Sequence, residues 1–279
     1  MESVIRRVKK NRPLRVLEAG AGIGTMAERL IDWGLLTHAE YTAVDSNENS
    51  IQRAGERLTE FCRDQGFTCQ SGNGDDYQIS GEELSIQLRF RQNDIFEFLR
   101  DPHTKDFDLV VAHAFLDIFP IRKILPPLLS AIRPGGVYYF TLNYDGLTRF
   151  FPIIDRALDD TILRLYNERM DRKGDRSGSQ CGRQLVEYLA LNQGTLLAGG
   201  SSDWIVHPVN GRYSADTRRF LECILRTAED ALRDTPNVGC EELRTWLTIR
   251  AEQLEKGSLI YLSHQIDVTG RQGLKMKDY

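Results

Sequence analysis

The segment Leu14-Arg-Val-Leu-Glu-Ala-Gly-Ala-Gly-Ile-Gly-Thr-Met26 constrains this chain more than any other. Leu14 to Leu17 reads as a short buried strand. Gly20, Gly22 and Gly24 read as a tight loop. The residues after them read as a helix whose inner face takes Met26, Ala27, Leu30, Ile31 and Trp33. Alternate glycines let the backbone turn sharply and approach a ligand, because no Cβ stands in the way. The helix that follows offers free N–H groups and the positive end of its dipole.

The loop excludes two common ligand classes. A dinucleotide fingerprint would need a glycine at position 25, which is Thr25. A phosphate loop would need Gly-Lys-Ser/Thr at its end, and the segment has none. Instead an acid, Glu18, precedes the three glycines. A carboxylate at the strand end repels a pyrophosphate and suits a ligand bearing an ammonium or sulfonium group. The arrangement therefore points away from NAD and towards S-adenosylmethionine. With its acid-x-Gly-x-Gly-x-Gly form, the segment resembles the first motif of the class I S-adenosylmethionine-dependent methyltransferases. That resemblance implies a cofactor loop made of Glu18, Gly20, Ala21, Gly22 and Gly24.

The next elements fall in the order a doubly wound fold requires. Ala39 to Asp45 reads as a second strand ending in a carboxylate, 21 residues beyond Gly24. An acid at this place accepts hydrogen bonds from ribose hydroxyls, although Asp45-Ser46-Asn47 also reads as a helix start. A helix follows from Glu48 to Asp64, with Ile51, Ala54, Leu58 and Phe61 on one face. Residues 66 to 82 carry strong turn chemistry at Gly72-Asn73-Gly74 and read as a small hairpin placed before the third strand. Ser85 to Asn93 alternates apolar and polar side chains as a half-exposed strand does. In the resembled family the third strand ends in an acid near the adenine amino group. The resemblance thus implies that Asn93, Asp94 and Ile95 border the adenine, while Asp94 also reads as a helix cap.

Phe107 to His113 is a fourth strand, apolar through Val110, Val111 and Ala112 as in a strand buried on both faces. Its tip, Ala112 and His113, falls where cofactor and substrate meet in an open α/β sheet. The resembled family's amino-methylating nucleic-acid enzymes carry Asn/Asp-Pro-Pro-Tyr/Phe here, and this chain has His113-Ala-Phe-Leu-Asp117 instead. Arg133-Pro-Gly-Gly then leads into a fifth strand ending at Asn143, an order common in the family.

The expected architecture is a doubly wound, mostly parallel seven-stranded sheet with helices on both faces and an antiparallel last strand. Residues 1–279 are expected to form one domain of this kind. A helical insertion follows strand five, over residues 145–183, where Phe150, Phe151, Ile154, Leu158, Ile162, Leu165 and Tyr166 recur at helical spacing. It reads as a lid over the substrate crevice or as a homodimer contact. Thr195 to Pro208 reads as a sixth strand, and Ser258 to Val268 as the last. Helices fill Asp216 to Arg233 and Cys240 to Lys256 between them.

Charge narrows the partners. The 279 residues carry a formal net charge of −4, so the chain as a whole offers no basic footprint for nucleic acid. The basic cluster Arg6, Arg7, Lys9, Lys10, Arg12 and Arg15 reads as a solvated helical turn, with a phosphate-binding arm as the other reading. No apolar run reaches membrane-spanning length. Five cysteines without C-x-x-C spacing suggest neither disulfide framework nor zinc site and fit a reducing cytoplasm. No cluster has metal-ligand spacing, so no metal is expected. Among the five histidines, His113 is placed to act directly and His207 to border the substrate. Asp117 is placed to orient His113 or a substrate amine, and Tyr144, Trp204 and Tyr213 to form an aromatic wall. The sequence thus implies a cytoplasmic methyltransferase acting on a small molecule through oxygen or nitrogen. A nucleic-acid methyltransferase and a cofactor-binding protein without transfer are its rivals.

Overall fold

The computed structural model describes residues 12–172, 176–192, 195–233 and 239–273. Strands β1 (Leu14–Ala19), β2 (His38–Asp45), β5 (Ser85–Gln92), β6 (Phe107–His113) and β7 (Ile132–Phe151) form the parallel body of one sheet. A hairpin, β3 (Thr68–Ser71) and β4 (Asp76–Ser80), adds antiparallel strands at the β5 edge. At the other edge β10 (Ile260–Arg271) runs antiparallel to β7. It also pairs with β8 (Thr195–Ser201) and β9 (Trp204–Val206). The order is β3-β4-β5-β2-β1-β6-β7-β10-β8, with β9 beside β10.

The seven expected strands are all present within this ten-stranded sheet. The hairpin contributes two more, and the sixth strand is divided at Ser202 and Asp203. There Ser202 turns its hydroxyl onto Asp267 (2.8 Å) and its amide onto the Gln265 carbonyl (3.2 Å).

Strand residues alternate between two cores, as the period of two requires. Val16, Leu109 and Val111 face helices α1 (Thr25–Asp32) and α2 (Glu48–Gln65). Leu17, Val110 and Ala112 face α3 (Ile95–Phe98), α4 (Ile121–Ala131) and α6 (Cys181–Leu191). A third core joins the far end of β7 and β10 to α5 (Arg156–Asp171), α7 (Ala215–Leu232) and α8 (Cys240–Glu255). No described helix is long and apolar enough to cross a membrane.

Three local expectations are corrected. Trp33 is not on the inner face of α1; the helix ends at Asp32 and Trp33 is 54% exposed. The fifth strand does not stop at Asn143 but continues to Phe151, because β10 pairs with it as far as Ile260↔Phe151. Phe150 and Phe151 are therefore strand residues, and the first regular helix of the insertion starts only at Arg156.

Of the basic N-terminal cluster, Arg6, Arg7, Lys9 and Lys10 lie outside the described residues. Arg12 and Arg15 are structural. Buried Asp108 on β6 accepts from the Arg12 guanidinium (2.8 Å), the Arg15 amide (2.9 Å) and the Arg133 guanidinium. This carboxylate ties the start of β1 to β6 and to the Arg133-Pro-Gly-Gly passage. Asp108→Ala strands all three donors and is expected to lower unfolding free energy by about 2 kcal/mol in urea titration.

Candidate functional site

The C-terminal ends of β1, β2, β5 and β6 lie along one edge of the sheet, where open α/β folds bind ligands. A cavity of about 490 Å³ opens there. Its floor is the glycine loop. The amides of Gly20 and Ala21 both donate to the Val44 carbonyl (2.9 and 3.0 Å), which lashes the loop to the end of β2. Gly20 and Gly22 have φ of 71° and 53°, the left-handed region that favours glycine. A Cβ on Gly20 would fall 2.0 Å from the Phe115 ring, whereas one on Gly22 would meet nothing within 4 Å. Gly22 is thus the point where backbone stands open to the cavity.

Asp45 organises the rim. One carboxylate oxygen accepts from the Gly22 amide (2.8 Å) and the other from Asn47 (2.9 Å). Asp94 caps α3, its Oδ1 accepting from Phe96 and Glu97 (2.8 and 3.2 Å). Asp94 is thus the helix cap its sequence suggested, whereas the cap of α2 is Asn47, to which Asp45 is tied.

Glu18 is only 1% exposed. It accepts one hydrogen bond from the Tyr41 hydroxyl (2.7 Å) and has no cationic partner among the described residues. Burial pushes its carboxyl up to about 8; the Tyr41 bond opposes the rise and the nearby Asp45 charge adds to it.

His113 ends β6. Its Nδ1 lies 2.7 Å from the Thr141 hydroxyl and its Nε2 3.4 Å from the Arg29 guanidinium. Arginine can only donate. The network therefore assigns the ring proton to Nδ1 and the lone pair to Nε2. Burial pulls the ring below its ordinary value and the Arg29 charge adds to this, with Asp267 opposing. The Nε2 lone pair of His113 is thus turned to the Arg29 guanidinium.

A second cavity of about 320 Å³ adjoins the first. Ala114 and Ile118 line both. Ala114 has φ of 49° and Leu142, in the second cavity, 56°. Non-glycine residues in this region cost about 1–3 kcal/mol each and cluster where function demands a shape. Leu142 is held by its amide bond to Asp267 (2.8 Å), and Ala114 by its amide bond to the Thr141 carbonyl (2.9 Å).

Ten of the predicted cofactor residues line the first cavity: Glu18, Gly20, Ala21, Gly22, Asp45, Ser46, Asn93, Asp94, Ile95 and His113. Gly24 and Ala112 do not. Gly24 is the N-cap of α1, packed against Ala54 and Phe90, and Ala112 is buried beneath the sheet. Asp117 lines the second cavity. His207 lines neither: it is exposed after β9, with Nδ1 3.0 Å from the adjacent Pro208 carbonyl. Of the expected aromatic wall, Tyr144 and Trp204 stand in the second cavity, while Tyr213 bonds the Leu259 carbonyl (2.7 Å) and joins the third core. Sequence reasoning missed Phe115 and Ile118, although they lie in the segment His113 to Asp117 and just beyond it. It also missed Tyr261 and the cavity role of Tyr166, which its spacing disguised as one more apolar helix position.

The strand order, with an antiparallel strand inserted beside β7, defines the class I S-adenosylmethionine-dependent methyltransferase fold. No protein-family model matches the chain, and no curated protein matches it in sequence. Solved structures share the fold. A protein from Bacillus halodurans thought to be a methyltransferase aligns with a TM-score of 0.52 at 13% identity, over 97% of each chain. The cyclopropane synthase MmaA2 from Mycobacterium tuberculosis aligns with a TM-score of 0.47 at 12% identity, over 95% of this chain and 82% of the other. Geranyl diphosphate C-methyltransferase from Streptomyces coelicolor, solved with geranyl diphosphate and S-adenosylhomocysteine, gives 0.44 at 11% identity over 97% and 78%. At 13% identity the first of these is a likeness of fold alone, and the other two, with TM-scores under 0.5, add nothing to it.

Proposed function

We propose that this protein is an S-adenosylmethionine-dependent methyltransferase acting on a small molecule through oxygen or nitrogen. One observation carries the reading: residues nominated as a cofactor set line a single cavity, and buried Glu18 faces it without a cation of its own. An acid in that position complements the ammonium and sulfonium charges of the cofactor, and open Gly22 allows close approach to its backbone. The residues fit the group.

S-adenosylmethionine supplies an electrophilic methyl group on a sulfonium sulfur; the protein orients the partners and excludes water. In this reading the loop Gly20–Gly24 and Glu18 hold the amino-acid end. Asp45 receives the ribose hydroxyls on oxygens that each spend one lone pair on a backbone amide. Asp94 keeps Oδ2 for the adenine amino group, and Ile95 supplies an apolar edge. The second cavity takes the acceptor. The insertion furnishes Thr148, Tyr166, Met170, Arg176 and Gly178 to its wall, which supports a covering role for residues 145–183.

Calorimetric titration with S-adenosylhomocysteine tests the reading. Micromolar binding is expected, and folded protein that binds neither this ligand nor S-adenosylmethionine would refute it. Asp45→Ala removes both the ribose acceptor and the clamp on Gly22. It is expected to weaken binding by about 1–3 kcal/mol in the same titration.

A further inference from the structure

The second cavity has a charge pattern that constrains the acceptor. Four aromatic side chains, Tyr144, Tyr166, Trp204 and Tyr261, share its wall with one acid, Asp117, and one base, Arg176. No other charged side chain lines it among the described residues. Burial raises the Asp117 carboxyl, while its own backbone amide, the Arg176 charge and the Ile118 amide draw it down. Yet they close no ion pair with each other, and neither forms one with any other described residue. Asp117 is half-buried, and a carboxylate taken out of water without a cation is costly.

The two charges come from different elements. Asp117 sits on the short turn Leu116–Ile118, beside the residues that line both cavities. Arg176 belongs to the insertion, is exposed and lines the same cavity. The aromatic faces of the same wall offer negative charge to a cation. The Tyr144 hydroxyl is committed to Asn167 and Thr148 (2.9 and 3.0 Å), while that of Tyr166 has no hydrogen-bond partner among the described residues. A neutral apolar ligand would leave both charges without counter-ions. A purely anionic one would meet Asp117, and a purely cationic one would meet Arg176.

We infer that the second cavity binds a small zwitterionic amine, with its ammonium against Asp117 and the aromatic rings and its acidic group against Arg176. This rests on the methyltransferase reading and sharpens it, because it sets a nitrogen beside the cofactor cavity. Carboxylate and phosphate serve Arg176 equally, so both enter the test.

Protein saturated with S-adenosylhomocysteine is titrated with two matched series, read by saturation-transfer NMR and calorimetry. The aryl series is tyrosine, tyramine, 3-(4-hydroxyphenyl)propionate and 4-ethylphenol. The aliphatic series is phosphoethanolamine, β-alanine, ethanolamine and propanol. In at least one series the zwitterion is expected to bind about tenfold tighter than its singly charged and neutral relatives. Asp117→Asn should abolish the advantage of the ammonium, and Arg176→Gln that of the acid. If neither series prefers its zwitterion, or if the preference survives both substitutions, the proposal is overturned. Binding of S-adenosylhomocysteine without a zwitterion preference sinks this inference alone. A zwitterion preference in protein that fails to bind S-adenosylhomocysteine sinks only the methyltransferase reading.

Discussion

Arg250→Met is expected to cost about 3–5 kcal/mol of unfolding free energy, a large fraction of what a protein usually has. Arg250 is fully buried on α8. Its guanidinium donates to Asp159 Oδ1 (2.5 Å), to the Pro152 carbonyl (2.6 Å) and to Gln253 (2.8 Å), and it lies over the rings of Phe150 and Trp246 (5.4 and 5.1 Å). Asp159, in the first turn of α5, also accepts from the Trp246 indole (2.6 Å). One ion pair thereby ties together α5, α8 and the passage out of β7. The cost arises less from the pair's own attraction than from the Asp159 carboxylate left buried without a cation. Adding Asp159→Asn to Arg250→Met removes that charge and keeps an oxygen for Trp246, so the double variant should recover most of the loss. Urea titration followed by tryptophan fluorescence and circular dichroism measures all three. A single-variant cost below about 1 kcal/mol would show that the pair is not buried as described.

That ion pair also marks where the sequence stopped being informative. Arg250 lies in a helix whose other charges are solvated, so nothing in its spacing distinguishes a buried guanidinium from an exposed one; only the third core, assembled from elements far apart in the chain, decides. The cofactor cavity was legible for the opposite reason. Each of its residues sits within a few positions of a strand end, and strand ends are local features: Glu18 after an apolar run, Asp45 before a helix start, Asp94 before another. Gly24 and Ala112 belonged to the same motifs but pointed into packing, which a motif does not reveal. The second cavity was largely illegible. Tyr144, Tyr166, Trp204 and Tyr261 come from four separate elements, and the strand that brings two of them together, β7, ran past its expected end because β10 paired with it.

Binding of S-adenosylmethionine is expected to strengthen with pH up to about 8 because of Glu18. In the free protein burial holds this carboxyl at about 8, so at neutral pH it is mostly protonated. A sulfonium and an ammonium require the carboxylate, and binding below pH 8 must therefore expel a proton. Affinity should fall by about tenfold per pH unit below that value, approaching 100-fold at about pH 6, with close to one proton released per ligand at about pH 7. The ligand's own amino group titrates near 8 as well, so Glu18→Gln is the control. It keeps the shape and the Tyr41 contact but cannot ionise, and the difference between the two profiles belongs to Glu18. Calorimetry in phosphate and in Tris, whose ionisation heats differ, counts the protons; identical release by both proteins would refute the assignment. Stability runs the other way. The folded value lies above the ordinary 4.5, so the neutral acid favours the folded state, and the free protein loses that contribution as pH rises from 4.5 to about 8. Ligand-free Glu18→Gln should therefore outlast the unsubstituted protein under urea at pH 8, while S-adenosylmethionine, which stabilises in proportion to its affinity, narrows or reverses that order. A residue that destabilises the empty site and strengthens the occupied one is a binding group, and this crossover separates it from a merely buried acid.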